Sequence, residues 1–500
     1  MSKHVWPALL FLVLFVCELT MVCRLNEGTF TYSLDDAYIH LALAQRINQG
    51  QYGINPCEAS APSSSILWPL LLAPFADRPS FVYLPLFLNV IGALVILYIS
   101  GRFFHQQFSA SPRPWLAIAL TLFMIPALNL IGLVFTGMEH ILQILVALLV
   151  ANGLIRLHQD RFEGVGFYAA SLLGPLIRFE NTLLALVSVL CLLAHKKSRA
   201  ALIILSGVIL SLSGFSFFLQ RLHLGYLPSS IITKSVTVFG GHTSLFINLM
   251  TNLSQRQAVA MLLCLLLFLN RLTLPFYRYL NLGAVGAIAG HMLFGRFGWA
   301  DRYEIYLLGF CFFILVAQHQ VDLIVKPLLA GSATLIVLLI PYWQNWLYTP
   351  LGCNNIYQQH AQMARFAQEY VRAPVAVNDL GCVAFNNQQH VLDLWGLASP
   401  EVIALKRQRF SCQWMDSLAQ VHQVKVAMIY DAYFPLLPQN WVCLGKLFLG
   451  RRKITADHPI VSFYAVQAHD VAELKQSLRL FARTLPRGVV FTNGQGSSPY

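Results

Sequence analysis

The stretch VWPALLFLVLFVCELTMVC, residues 5–23, is followed after a short polar link by SLDDAYIHLALAQRINQGQYGINP, residues 33–56. The first stretch is apolar over a length that crosses a bilayer as a helix. The second opens on two adjacent carboxylates, Asp35 and Asp36, and then places Ile39, Ala42, Leu43 and Arg46 at helical spacing. The chain therefore crosses a membrane and at once presents an acidic pair at the surface it reaches. Lys3 and His4 ahead of the apolar run give it the charge and length of a signal sequence, but no small-x-small cleavage site follows. It is read as a retained first transmembrane helix.

Composition agrees with that start. Of 500 residues, 57% are hydrophobic and 11% charged, against about a quarter charged in soluble domains. That excludes an ordinary soluble protein, because one core of this size cannot hide so much apolar surface. Lys and Arg number 34 against 22 Asp and Glu, a net charge of +12. The excess sits at the ends of apolar segments, as the positive-inside rule requires, so membrane lipid and not nucleic acid is the expected partner.

Further apolar runs lie near 81–100, 115–135, 140–156, 164–177, 181–194, 200–220, 257–270, 279–296, 304–319 and 325–347. They predict a polytopic α-helical membrane protein of about eleven transmembrane helices. With Lys3 inside, the inward turns carry Arg102, His105 and Arg113; Arg156 and Arg161; Lys196, Lys197 and Arg199; Arg271 and Arg278; and Lys326. Every inward turn is basic. The runs 164–177 and 181–194 are short for a crossing and read equally as one hairpin that stops partway.

The outward side then receives a first loop of residues 24–80, a middle loop of 222–256 and everything after Trp346. Residues 66–75, broken by Pro69 and Pro74, read as a helix lying on the membrane surface. Residues 1–350 form the membrane module. Residues 351–500 form a soluble α/β domain outside the membrane, with a helix over 357–372 and strands over 375–379, 391–394 and 426–430. Cys353, Cys382, Cys412 and Cys443 there allow three disulfide connectivities if oxidised, and Cys57 leaves the outward count odd.

The acidic pair has two readings. Asp35 and Asp36 suit a helix N-terminus, where a carboxylate meets unpaired N–H groups. One capping residue suffices for that, however, and a carboxylate held at a membrane surface is also a general base for a hydroxyl. Three further polar clusters fall at outward turns: Thr136 to His140, Arg178 to Asn181, and Asp301 to Glu304. Each alone is explained as a solvated turn or a cap. Four clusters on one side, with Arg178 and Arg302 among their carboxylates, instead suggest a cavity for a charged lipid head group. In the middle loop, Lys234 serves either as an interfacial lysine that snorkels or as a point charge for a phosphate.

These residues resemble those of the GT-C superfamily of integral-membrane glycosyltransferases. The resemblance rests on residues 35–39 (Asp-Asp-Ala-Tyr-Ile), on Ser64, Ser65, Leu67 and Trp68, and on the Thr-Gly-Met-Glu turn at 136–139. The Arg-x-Glu turn at 178–180, the Pro-Ser-Ser-x-x-x-Lys loop at 228–234 and the Arg-Tyr pair at 302–303 extend it. Downstream, VNDLGCVAF (377–385) and VLDLWGLASPEV (391–402) are similar to the periplasmic domain of bacterial arabinofuranosyltransferase-like members.

The resemblance implies a GT-C-like enzyme of the bacterial inner membrane with its C-terminal domain in the periplasm. Such an enzyme moves a sugar, with arabinofuranose one candidate, from a polyprenyl-phosphate carrier to a glycan, lipid or protein acceptor, with inversion. Asp35 is then the base and Asp36 the second choice. Lys234, Arg302 and Arg178 contact the donor phosphate, and Tyr38, His40, Glu58, Glu139, Glu180 and Tyr303 line the substrate. The resemblance fixes no cofactor with certainty, and a divalent cation is left open. The competing class is a secondary transporter or a translocator of lipid-linked saccharides. Transporters commonly show internal repeats with paired broken helices, and no such self-similarity is visible here.

Overall fold

The computed structural model describes residues 5–109, 114–234, 241–318, 321–406 and 412–493, apart from the side chains of 234, 241–244 and 321–339. Among the described residues, four helices are long and apolar enough to cross a membrane: Val5–Leu25, Phe81–Gln107, His140–His158 and Ser198–Arg221. A fifth span results if Leu245–Leu253 and Ala258–Thr273, bent by 100° at their junction, count as one.

The remaining apolar runs are not equal spans. The run 115–135 breaks into Trp115–Ala127 and Leu130–Phe135. Pro126 removes a backbone donor there, and Asn129 turns left-handed at φ 45°. Runs 164–177 and 181–194 are two packed thirteen-residue helices, Val165–Ile177 and Thr182–Ala194, separated by extended backbone at Arg178. The middle region 222–256 is not loop throughout, since it holds the helices Ser229–Lys234 and Gly241–Leu253. Arg113 and the side chains of Lys234 and Lys326 lie outside the described residues.

His140–His158 is the centre of the helical module. It packs against Leu84–Gln107, Val165–Ile177 and Ile305–Ala317. A Cβ at Gly153 would stand 2.5 Å from Phe167, so glycine is what lets those two helices approach. Ser198–Arg221, by contrast, leaves Leu202, Ile203, Leu210 and Phe217 exposed. Lipid is the solvent that such a surface fits.

No loop separates the helical module from the C-terminal domain. The helix Val321–Gln358 runs through position 351. Its buried amides hold the junction: Asn354 donates to Leu25 O at 2.9 Å, and Asn355 donates to Arg452 O at 3.1 Å while accepting from Ile454 N at 2.6 Å. The expected helix over 357–372 is interrupted at Gln359 and continues as His360–Arg365 and a π-turn over Phe366–Val371. That break turns His360 inward.

The domain carries a six-stranded sheet of β1 (Val375–Val377), β2 (Val391–Asp393), β3 (Val426–Ile429), β4 (Val442–Phe448), β5 (Ile460–Ala465) and β6 (Val490–Asn493), in the order β2-β1-β3-β5-β4-β6. β2, β1 and β3 are parallel, with Val375 opposite both Val391 and Val426. They are the three strands expected from sequence, legible because both faces are buried and they read as short apolar runs. β4 to β6 add an antiparallel half. Gln413–Val421 covers one face through Met415 and Ala419, and Val471–Ala482 covers the other through Leu474, Leu478 and Phe481. All ten cysteines are free thiols, so the disulfides considered for Cys353, Cys382, Cys412 and Cys443 are not formed.

Candidate active site

The turn over residues 298–301 is left-handed throughout, with φ of 74°, 46°, 63° and 49° at Gly298, Trp299, Ala300 and Asp301. Such backbone costs about 1–2 kcal/mol per non-glycine residue. Buried bonds hold it: Asp301 accepts from Gln257 at 2.5 Å and from Asn345, while Glu304 accepts from Gly298 N and Tyr342 Oη, both at 3.1 Å. The strained turn delivers Arg302, whose side chain is 2% exposed.

Arg302 Nη2 donates to Asp36 Oδ2 at 2.6 Å and to Tyr303 Oη at 2.9 Å, and its guanidinium lies 4.9 Å from the Tyr303 ring centre. Its Nε and Nη1 are buried and have no partner among the described residues. Leaving charged donors unpaired in a protein interior is costly, and an anion is the group that would satisfy them.

Two cavities meet at this residue. One, of about 410 Å³, has Leu183, Ile231 and Phe294 for apolar walls and is lined also by Arg178, Glu180 and Arg296. The other, of about 630 Å³, is lined by Asp35, Asp36, His360, Asn378, Asp379 and Asp457. Asn248, Arg296, Arg302 and Tyr303 line both. A slot with an apolar side and a more polar chamber thus share one wall, and the buried guanidinium stands in it.

Arg178 is engaged otherwise than Arg302. Its Nη1 donates to Glu139 at 2.9 Å and to Ser64 at 3.1 Å, while Nε and Nη2 fork onto Glu180 at 3.1 and 2.6 Å. Two carboxylates balance its charge, so Arg178 acts as a post that fixes the slot. Burial works to raise the Glu139 carboxyl, yet His40, 3.5 Å away, and Arg178 hold it at about 2. Removing one partner of such a buried pair typically costs 3–5 kcal/mol. Arg178→Ala or Glu139→Gln should therefore lower the thermal transition of the detergent-solubilised protein by several degrees. An unchanged transition in both would deny the post its role.

Asp35 does not cap its own helix. Asp36–Asn48 starts after Asp35, whose side chain makes no cap bond there. Its oxygens instead accept the backbone N–H groups of Gly381 at 2.6 Å and Cys382 at 2.8 Å, from the C-terminal domain. Burial pushes the Asp35 carboxyl above the ordinary range, and His360 opposes that. A Cβ at Gly381 would fall 2.1 Å from the Asp35 carbonyl oxygen. Gly381→Ala should loosen the docking of the C-terminal domain, read as faster proteolytic release of that domain. An unchanged release rate would show that the contact holds nothing.

Of the other expected residues, Glu180 and Tyr303 line the slot. His40 and Glu139 stand behind Arg178, with His40 Nδ1 3.1 Å from Ser63 Oγ. Tyr38 lies outside both cavity walls, its hydroxyl accepting from Tyr32 N at 3.2 Å. Glu58 is also outside them, 2.8 Å from His390 Nε2, where it ties the first loop to the C-terminal domain. The Lys234 side chain lies outside the described residues. For the divalent cation, no group of three or more His, Cys, Asp or Glu side chains arranged to hold a metal occurs among the described residues.

Residues 354–464 match the family described as Domain of unknown function (DUF8728). No curated protein matches the chain. Among solved structures, the crystal structure of an Archaeoglobus fulgidus oligosaccharyltransferase in complex with Zn and sulfate aligns at a TM-score of 0.45 and 12% identity, over 96% of this chain and 74% of that one. Such a likeness decides neither fold nor activity, and the chemistry of the chain's own residues must.

That chemistry includes groups the sequence did not single out. His360 Nε2 lies 3.1 Å from Asp379 Oδ2 and 3.4 Å from Tyr430 Oη. Burial works to lower the His360 value, but Asp35 and Asp379 outweigh it and hold the ring above the usual histidine range. Asp379 follows β1 at the carboxyl end of the parallel strands, the end at which open α/β sheets place ligands. An Asp two positions beyond a buried strand was the available signal. The partners that assemble the cluster come from distant parts of the chain.

Proposed function

We propose that the chain is a membrane-embedded glycosyltransferase that uses a lipid-phosphate-linked sugar. The observation that carries this reading is Arg302, buried between an apolar-walled slot and a more polar chamber, paired with Asp36 and with Nε and Nη1 unpartnered among the described residues. The slot suits the first isoprene units of a polyprenyl carrier, and the unpartnered guanidinium edge suits its phosphate. Asp36 lines the chamber and takes the proton of an acceptor hydroxyl. The hydroxyl oxygen attacks the anomeric carbon, the bond to the phosphate oxygen breaks, and its electron pair leaves on the phosphate, where Arg302 stabilises it. One displacement inverts the anomeric centre.

Asp36 takes the role of base in preference to Asp35 because it stands beside Arg302 at the wall the two cavities share, whereas Asp35 is turned onto the backbone N–H groups of the C-terminal domain. Arabinofuranose is one candidate sugar that the sequence resemblance supplies. The same resemblance puts the chemistry on the periplasmic face of an inner membrane, which an active phosphatase fusion at the C-terminus would support and a silent one would oppose. The test of the activity is incorporation of radiolabelled sugar from defined polyprenyl-phosphate pentoses and hexoses by purified protein in detergent. Incorporation from one donor supports the transferase. Failure with every donor, together with flux of lipid-linked saccharide in vesicles, would favour the translocator.

A further inference from the structure

We propose that the acceptor is a neutral saccharide, seated on the C-terminal domain against Trp395 and Tyr433. The inference rests on the transferase reading and adds to it the chemical class of the second substrate. The parallel strands β2, β1 and β3 end at the chamber: Trp395 follows β2, Asn378 and Asp379 follow β1, and Tyr433 follows β3. All four line it, together with Asp457. The rings of Trp395 and Tyr433 lie 5.0 Å apart at 36°.

The Trp395 loop is held from beneath. The buried Asp393 carboxylate accepts from the backbone N–H groups of Trp395 at 2.8 Å, Leu397 at 2.5 Å and Ala398 at 2.8 Å. Lys406 Nζ sits 4.0 Å from the Trp395 ring centre and donates to its carbonyl at 3.2 Å. The aromatic wall is therefore preorganised before any ligand arrives. Asn378, 3% exposed, accepts from Tyr430 N at 2.8 Å through Oδ1, yet its Nδ2 has no partner among the described residues. An unpartnered amide donor beside two carboxylates and two aromatic rings matches a sugar ring, which offers C–H faces to aromatics and hydroxyls to polar groups. The chamber's cations lie elsewhere, Arg296 and Arg302 in the wall shared with the slot and His360 on Asp379. That leaves no free cation among the described lining residues to receive an anionic acceptor at the rings, and a lipid acceptor would leave these polar groups unpaired.

The test uses the full-length protein in detergent and saturation-transfer NMR with methyl glycosides of neutral pentoses and hexoses. Wild-type protein should bind at least one of them. Trp395→Ala and Asn378→Ala should weaken that binding about tenfold or more, the usual consequence of losing one well-placed contact. Asp457→Asn, at a partly exposed position, keeps the test decisive if the tryptophan variant unfolds. In transfer assays the same changes should raise the acceptor KM more than they lower kcat.

Retention of radiolabelled polyprenyl-phosphate sugar on the protein is measured in parallel. Saccharide binding without donor retention would sink the transferase reading and leave the subsite standing. Transfer without saccharide binding, transfer to a peptide instead, or an acceptor KM unmoved in all three variants would overturn the subsite.

Discussion

Asp36→Asn protein should insert, fold and retain the lipid donor while losing sugar transfer by about a hundred- to ten-thousand-fold, the range that a positioned base contributes. The change keeps the shape of the side chain and removes its proton-accepting charge. It also removes the carboxylate facing Arg302 at 2.6 Å, so the guanidinium is freed for the donor phosphate. The donor KM should therefore hold or fall while kcat collapses, a split that a folding defect would not produce. Asp35→Asn is the control. Its new amide would press an N–H group against the Gly381 and Cys382 donors, which are 2.6 and 2.8 Å from the present carboxylate. That should destabilise the domain contact by about 1–3 kcal/mol and spare more of the chemistry. A dead Asp35→Asn beside a near-normal Asp36→Asn would return the base to the residue favoured by the family resemblance. Near-normal turnover in both would sink the mechanism.

Arg302→Ala should lower kcat by about two to three orders of magnitude, the usual loss when a preorganised group facing developing charge is removed. The side chain packs on Tyr303 at 4.9 Å and bonds to it at 2.9 Å, so part of the loss will appear as reduced stability. Arg302→Lys separates the two effects. An ammonium on a flexible stem keeps the charge but loses the planar fork that reaches Asp36 and the phosphate together. It should restore much of the thermal stability and little of the rate. A lysine variant with wild-type turnover would show that any cation serves, and an alanine variant with wild-type turnover would take Arg302 out of the reaction.

Local properties of the chain made part of this legible. Apolar length, basic turn residues and buried β-branched runs are read from neighbours in sequence. They were enough for a helical membrane module, for the parallel strands β1 to β3 and for the cluster of Arg178, Glu180, Arg302 and Tyr303 near one site. The same signals carried the run 115–135 straight through the break at Pro126 and Asn129, and they left Gly241–Leu253, half of a bent helix pair, in a loop. They also missed β4 to β6, whose apolar residues are interrupted by Gly445 and Lys446, by Ser462 and by Thr492.

Only the tertiary structure decided what each carboxylate contacts. Adjacent side chains on a backbone diverge, and nothing in Asp35 and Asp36 says which way each will face. Asp36 meets Arg302 across 266 positions, and Asp35 meets Gly381 across 346. His360, Asp379, Trp395 and Tyr433 reach the chamber only because the helix Val321–Gln358 runs unbroken into the domain and the parallel strands end there. Hydrophobic length and charge determine where a segment lies relative to the membrane. Which polar groups share a cavity is set by packing between segments far apart in the chain, and that information appears only when the chain has folded.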